Sequence, residues 1–300
     1  MFRLAITGGG GFVAGSIIQQ GPADWEVHAL SGKEPPARRP GLVWHTLDLK
    51  EPADVRAAFE SIAPDVVIHA AAIGDIDFCE NHPEVAHAVN VGLTASVAES
   101  CARHETRLIF ISTDNVFDGT RGNYAEEDLP APINEYARMK AAGEAIVTAD
   151  VANAVIARVA LVMGFGLLGR GSSFLERTVP MFREGRPIYV PPEEVRTPID
   201  VVTLGRALLE LAASDFRGIL HLAGSESLDR VTLTRRLAER LGFSSAVVVP
   251  RPPGAIAGRA PRPRDVSLNN AQARTLLKTP MRDFDSAIDL ILEVSGDRLR

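Results

Sequence analysis

Cysteine is scarce in this 300-residue chain, which has only Cys79 and Cys101. They lack the spacing of a metal site or a redox pair, and two thiols cannot build a disulfide framework, so both are expected to be free. Long apolar runs are missing too: no stretch approaches the roughly 20 residues that a membrane-spanning helix needs. The start, "MFRLAITGGG", runs directly into glycines with no cleavable leader, so the expectation is a soluble, cytoplasmic protein. Positive charge is not in excess either. A net charge of -6 argues against non-specific nucleic-acid binding, although "PARRP" and "RAPRPR" could still meet a phosphorylated small ligand. There is no internal repeat and no low-complexity tract. What is present is 46% hydrophobic content, enough to bury a large core as one α/β unit or as a domain with a smaller partner.

From residue 1 to about 160, short apolar runs alternate with segments of helical period, the pattern of a parallel sheet built from βαβ units. The runs are "RLAIT", "EVHAL", "LVWHTL", "DVVIHAA", "RLIFIS" and "AVIARVA". Between them "EPADVRAAFESIA" predicts a helix starting near Asp54, and "HPEVAHAVNVGLTASVAESCARH" keeps helical spacing over much of its length. A third helix is expected after Pro130 and Pro132, carrying "NEYARMKAAGEAIVTA". Residues 161–300 read differently, with the loop-like "GFGLLGRG", the helix "SSFLERTVPMFREG", a proline-rich "RPIYVPPEEVRTPID" and two further amphipathic helices. The fold expected is a Rossmann-type doubly wound parallel sheet over residues 1–160 with a smaller, interleaved α/β substrate domain over 161–300. The boundary is soft, because "GILHLA" could return to the main sheet.

"RLAITGGGGFVAGS" places a strand, a glycine turn and a helix start in succession. In Thr7-Gly8-x-x-Gly11-x-x-Ala14, missing side chains let the backbone approach a pyrophosphate at a helix N-terminus, with Phe12 and Val13 opening that helix. A bare glycine run would be only a tight connection; the strand before it and the helix after it make it a dinucleotide signature. NAD binders place an acid about 20 residues on, to hold the ribose hydroxyls. Here that count reaches Ser31, followed by Lys33, Arg38 and Arg39, and a hydroxyl with cations suits a 2′-phosphate. NADP is therefore favoured over NAD. Asp48, with Leu49 beside it after the third strand, could meet the adenine amino group, or Asp48 could be an ordinary helix cap.

"NEYARMK" puts Tyr136 and Lys140 four apart, on one face of a helix. A phenol of pKa about 10 needs a nearby cation to act as acid or base near neutrality, which Lys140 and a nicotinamide charge could supply. Thr113, ending the fifth strand in "STDNVFDG", would donate a hydrogen bond to a substrate carbonyl and align it with Tyr136.

With these motifs the chain resembles the extended short-chain dehydrogenase/reductase family. It is most similar to the dTDP-4-dehydrorhamnose reductase branch, which also includes the regulatory β subunit of methionine adenosyltransferase. The resemblance rests on "TGGGGFVA", "PDVVIHAAA", "DFCENHPEVAHAVNV", "STDNVFDG", "YAEEDLPAPINEYARMKAAGE" and "RPRDVSLNNAQARTLL". It implies Thr113, Tyr136 and Lys140 as the catalytic triad and Asp114 near the sugar. It also implies Ala70, Ala71, Ala72 and Asn90 as positions lining or supporting the cofactor site. Two positions depart from the branch: Asn115 stands where a tyrosine is usual, and Leu161 where a tryptophan shapes the pocket. Asn115 also replaces the glutamate that sugar 4,6-dehydratases use as a base, which favours simple reduction.

His69 is expected to be a hydrogen-bonded structural histidine, and no metal is required. Arg196 matches a region facing the sugar nucleotide in this family, where it would bind pyrophosphate; alternatively it pairs at the surface with Glu193 or Glu194. Arg262 and Arg264 either close the pocket rim or punctuate a loop. The resulting expectation is an NADPH-dependent reductase of a nucleotide-linked 4-keto sugar, with Asp114, Asn115, Leu161 and Arg196 on the substrate side. A sugar-nucleotide epimerase and a non-catalytic regulatory subunit are the alternatives, and a homodimer is open.

Overall fold

Parallel strands that are buried on both faces read as continuous aliphatic runs; seven parallel strands pair side by side in this chain, and the edge strand at residues 42–46 is only partly covered. The computed structural model describes residues 1–33, 40–168, 173–255 and 258–296. The strands are β1 (Phe2–Thr7), β2 (Trp25–Ser31), β3 (Leu42–Thr46), β4 (Val66–His69), β5 (Arg107–Thr113), β6 (Ala154–Val159) and β7 (Gly218–Leu222). Their order is β7-β6-β5-β4-β1-β2-β3. All pairs are parallel, and β7, from the late "GILHLAG", lies against β6.

The order reverses between β1 and β4. Connections from these two strands leave in opposite directions, which opens a crevice at the carboxyl edge of the sheet. Thr7, His69 and Thr113 are the last residues of β1, β4 and β5, so all three face that edge.

Helices cover both faces. On one, α1 (Phe12–Gln20) and Val201–Ala212 pack Ile17, Ile18, Leu204 and Leu208 against Leu4, Ile6, Val27 and Val155. On the other, α2 (Pro52–Ile62), α3 (Leu93–Arg103) and α4 (Glu135–Asp150) set Phe59, Val97 and Val147 against Ala5, Val67, Leu108 and Phe110. Helix α2 starts at Pro52 rather than near Asp54, because proline suits a first helical position where no N–H partner is needed. The α4 start follows Pro130 and Pro132 and is set by Asn134, whose side chain accepts from the Ala137 N–H at 2.9 Å.

A second core lies beyond residue 160. It joins α5 (Phe174–Arg183), Arg230–Arg240 and Phe284–Ser295 through Phe174, Leu175, Phe182, Leu237, Phe284 and Ile288. Among the described residues no helix is long and apolar enough to cross a membrane.

Candidate active site

The glycine turn sits at the carboxyl end of β1. Gly8 has φ +71°, and a Cβ there would lie 2.7 Å from the Ala71 Cα, so the turn and the loop after β4 touch backbone to backbone. Gly11 caps α1 without a side chain, and the first turn holds no acid. Its N–H groups therefore have no side-chain acceptor, a donor set that suits a phosphate at the positive end of the helix dipole. Ser31 closes β2 beside Gly10, with its Oγ accepting from the Lys33 N–H at 3.3 Å. Lys33 is exposed; Arg38 and Arg39 lie outside the described residues. Asp48 is exposed and accepts from the Lys50 N–H at 3.0 Å, while Leu49 packs on the Leu30 and Val55 cluster.

Behind the turn runs a chain of buried hydrogen bonds. Ala71 N–H donates to Thr7 Oγ1 (3.3 Å), Thr7 Oγ1 and His69 Nδ1 are 2.6 Å apart, and His69 Nε2 is 3.0 Å from Thr94 Oγ1, which donates to the Asn90 carbonyl at 2.8 Å. Because the Thr94 proton goes to Asn90, His69 donates from Nε2. In a neutral ring Nδ1 is then the acceptor of the Thr7 proton. Burial first, and the Lys140 charge second, push His69 down to about 3. Asn90 holds the same loop from the other side, donating to the Ile73 carbonyl (3.0 Å) and accepting from its N–H (2.8 Å). Ala70 and Ala71 lie half-buried between these anchors, with Ala72 exposed beyond.

At the end of β5, three polar side chains meet. Asn115 donates to Thr113 Oγ1 from its backbone N–H (3.2 Å) and from Nδ2 (3.3 Å), and from Nδ2 to Asp114 Oδ1 (2.7 Å). Two Asn115 donors are aimed at the Thr113 oxygen, and Thr113 gives its own proton to Asp114 Oδ1 at 3.1 Å. Asp114 Oδ2 and Asn115 Oδ1 are buried acceptors without a hydrogen-bond partner among the described residues. Burial raises the Asp114 pKa, against the Arg196 charge and the Thr113 and Asn115 hydrogen bonds.

Tyr136 and Lys140 stand one turn apart on α4, below Thr113. Burial is the largest influence on the Tyr136 phenol and pushes it well above its ordinary value; the hydrogen-bonding Thr113 side chain opposes. Lys140 is 3% exposed, with Nζ 4.0 Å above the centre of the Phe110 ring. Gly143 permits this approach, since a Cβ there would come within 2.7 Å of the Phe110 Cζ. Burial pushes Lys140 down to about 7, and the Glu144 carboxylate works in the opposite direction. In the free chain, then, the phenol is held neutral and the lysine is poised near neutrality.

Thr113, Asp114, Asn115 and Tyr136 share one cleft of about 690 Å³ with Phe12 and Val13 of α1, and with Leu161 and Arg196. Arg196 is buried, with the buried Glu194 carboxylate 4.0 Å away. It donates to the Val195, Pro263 and Arg264 carbonyls at 2.7–3.1 Å and faces Asp114 at 3.9 Å. Arg262 lines the cleft and forks onto Asp77 at 2.5 and 2.8 Å, whereas Arg264 is exposed and pairs with Glu193 at 3.2 Å.

Four residues of this surface carry no signal in the local sequence: Arg177, Arg230 and Arg259 line the cleft together with Asp75. Arg230 lies 4.2 Å over the Phe174 ring, and burial, followed by the Arg196 charge, pushes it down to about 10. Glu144 did leave a trace, four residues after Lys140. So did Arg158, a lone cation within the apolar "AVIARVA".

A doubly wound parallel sheet with a glycine turn at its switch point, and a Thr-Tyr-Lys set at the same edge, define an extended short-chain dehydrogenase/reductase, a class of NAD(P)-dependent oxidoreductases. Residues 2–296 match the family model of the RmlD substrate binding domain, and the chain belongs to that family. It is similar to the dTDP-4-dehydrorhamnose reductase of Mycobacterium tuberculosis strain CDC 1551, with 32% identity over 293 residues, covering 95% of this chain and 91% of the relative. The methionine adenosyltransferase 2 subunit beta of Bos taurus is 27% identical over 93% of this chain and 85% of the relative. Among solved structures, dTDP-4-dehydrorhamnose reductase from Bacillus anthracis in complex with NADP superposes with a TM-score of 0.87 at 23% identity, covering 98% and 99% of the two chains.

Proposed function

We propose that this chain is a cytoplasmic reductase of a 4-keto sugar carried on a nucleoside diphosphate, using NADPH. The observation that carries the reading is the shared cleft: the uncapped start of α1, the Thr113–Tyr136 pair and a group of arginines open into one volume. The glycine turn and the first-turn N–H groups would hold the cofactor pyrophosphate, and Ser31 with Lys33 would meet the 2′-phosphate. The cofactor, when bound, would supply a hydride, its nicotinamide ring becoming positive as the hydride leaves. The chain's own residues do the rest. Thr113, its oxygen saturated by Asn115 donors, turns its proton from Asp114 to the keto oxygen. Tyr136, neutral in the free chain, gives its proton to that oxygen as charge develops. Lys140 lies beneath as the charge that stabilises the phenolate. Asp114 and Asn115 offer their unpartnered oxygens to substrate hydroxyls, and the cleft arginines provide the counter-charge for a diphosphate. Similarity to the mycobacterial reductase supports the substrate class.

A second reading, a cofactor-binding regulatory subunit, is favoured by the Bos taurus relative, which spans nearly the same length. Oxidation of NADPH and NADH, measured in parallel over a panel of nucleotide-linked 4-keto sugars, separates the two. Turnover that prefers NADPH supports the reductase. Tight NADPH binding with no turnover across the panel supports the subunit.

A further inference from the structure

Tyr136 and Lys140 belong to a longer series. The next residue on the same stripe of α4 is Glu144, again four positions on, and it is 5% exposed. Its carboxylate accepts from Ser112 Oγ at 2.5 Å, and Ser112 immediately precedes Thr113 on β5. It also accepts from Arg158 on β6, at 3.1 and 3.2 Å from Nε and at 2.9 Å from the terminal amine. Arg158 is 1% exposed and sits opposite Ser112 in the β5–β6 register. Its remaining terminal amine reaches the Glu126 and Asp128 carbonyls at 3.4 and 3.3 Å. A carboxylate this deep is costly to bury, and Arg158 with Ser112 supplies its hydrogen-bond partners.

Lys140, by contrast, forms no ion pair within 4.0 Å among the described residues and rests on the Phe110 ring of β5. The charged and titratable groups around it are Glu144 and Tyr136 on its own helix and His69 on β4, with Arg158 behind Glu144 on β6 and Asp114 beyond Thr113 at the end of β5. Of these, His69 is neutral and Tyr136 is protonated in the free chain. Glu144 is the one negative charge that bears directly on the ammonium.

We propose that Glu144 is a positioning residue for the site: its carboxylate ties the strand that presents Thr113 to the helix that presents Tyr136 and Lys140, and it holds the Lys140 ammonium in its charged form. Lys140 already titrates near 7, so without Glu144 an ammonium on an aromatic ring inside a hydrophobic layer would be mostly neutral at pH 7. The positive charge proposed to face the phenolate and the cofactor would be lost. The clamp and the charge are one device, since the oxygens that hold β5 also carry the countercharge.

The chain has four lysines, Lys33, Lys50, Lys140 and Lys278, so an ε-13C lysine NMR titration of the whole protein resolves each of them. Lys140, assigned through Lys140→Arg, titrates near pH 7 in the wild type, far below an ordinary lysine. In Glu144→Gln its midpoint falls by about one pH unit, the size expected from a unit charge one helical turn away. Ser112→Ala, which removes the tie but keeps the carboxylate, leaves the midpoint in place. If Glu144→Gln does not fold because Arg158 is left unpaired, the double variant Glu144→Gln/Arg158→Gln removes both charges, and the midpoint again falls. A Lys140 midpoint unmoved by loss of Glu144, or one near that of the other lysines in the wild type, overturns the proposal. The proposal rests on reading Lys140 as part of a cofactor site, and NADPH added to the wild type tests that reading separately. A resonance that ignores NADPH sinks the site assignment while the Glu144 shift stands.

Discussion

The buried chain Thr7–His69–Thr94 makes a stability prediction that can be isolated with one substitution. His69 is 1% exposed, and burial keeps its ring neutral, with Nδ1 2.6 Å from Thr7 Oγ1. Burial pushes its pKa down to about 3, against 6.5 for an ordinary histidine. A histidine depressed in the folded state contributes stability that is present above pH 6.5 and lost as the pH falls, because only the unfolded chain takes up the proton. At pH 5 the unfolded ring gains roughly 2 kcal/mol from protonation while the folded ring gains almost nothing; at pH 7 the difference is only about 0.2 kcal/mol. Between pH 7 and 5, then, His69 alone removes about 2 kcal/mol. His221, pushed down to about 4 by burial and the Arg158 charge, acts in the same direction. Asp114, Glu126 and Asp200 act in the opposite direction, since burial raises their pKa values and the folded state takes their protons more readily. These terms are common to wild type and variant. His69→Gln keeps one donor and one acceptor but cannot titrate. Urea unfolding at pH 7 and pH 5 should show the variant less stable at pH 7 but losing about 2 kcal/mol less than wild type over the interval. Equal losses in the two proteins would refute the neutral, buried assignment of His69.

Two further substitutions probe the two ends of the cleft. Gly8→Ala places a Cβ 2.7 Å from the Ala71 Cα at a φ of +71° and should destabilise by about 1–3 kcal/mol. It should also weaken NADPH binding, read by fluorescence titration. Arg230→Gln removes a guanidinium stacked on Phe174 in the cleft. The nucleotide-sugar KM should rise about 10- to 100-fold, the range for a lost charge-assisted hydrogen bond, with little change in NADPH affinity. Equal losses for both ligands would instead indicate a collapsed cleft.

Much of the sheet was legible because each strand is a short aliphatic run bounded by turn residues, and parallel strands need no alternation to declare themselves. The glycine turn and the Tyr136–Lys140 pair were legible because their chemistry is local: one loop, one helical turn. What was not legible came from distance in the chain. Arg158 and Glu144 stand 14 residues apart on different elements, and only their burial together reveals the pair. Arg196 read either as a pyrophosphate contact or as a surface partner of Glu193 or Glu194; it is buried, with three backbone carbonyls on its terminal amines and Glu194 4.0 Å away. The α2 boundary moved by two residues, because Pro52 outranks Asp54 as a starting residue. The sequence suggested that Lys140 lowers the Tyr136 pKa. In the free chain burial dominates and the phenol moves up, which keeps it protonated, the form a proton donor needs.

The central claim is that Tyr136 protonates the reduced oxygen from a cleft already organised by Thr113 and Asn115. Its most direct test compares kcat for wild type and Tyr136→Phe on a nucleotide-linked 4-keto sugar that the wild type reduces, with NADPH affinity measured in both. The account predicts that kcat falls by about 10²- to 10⁴-fold while NADPH affinity stays within about twofold. A phenylalanine variant that keeps wild-type turnover would contradict it.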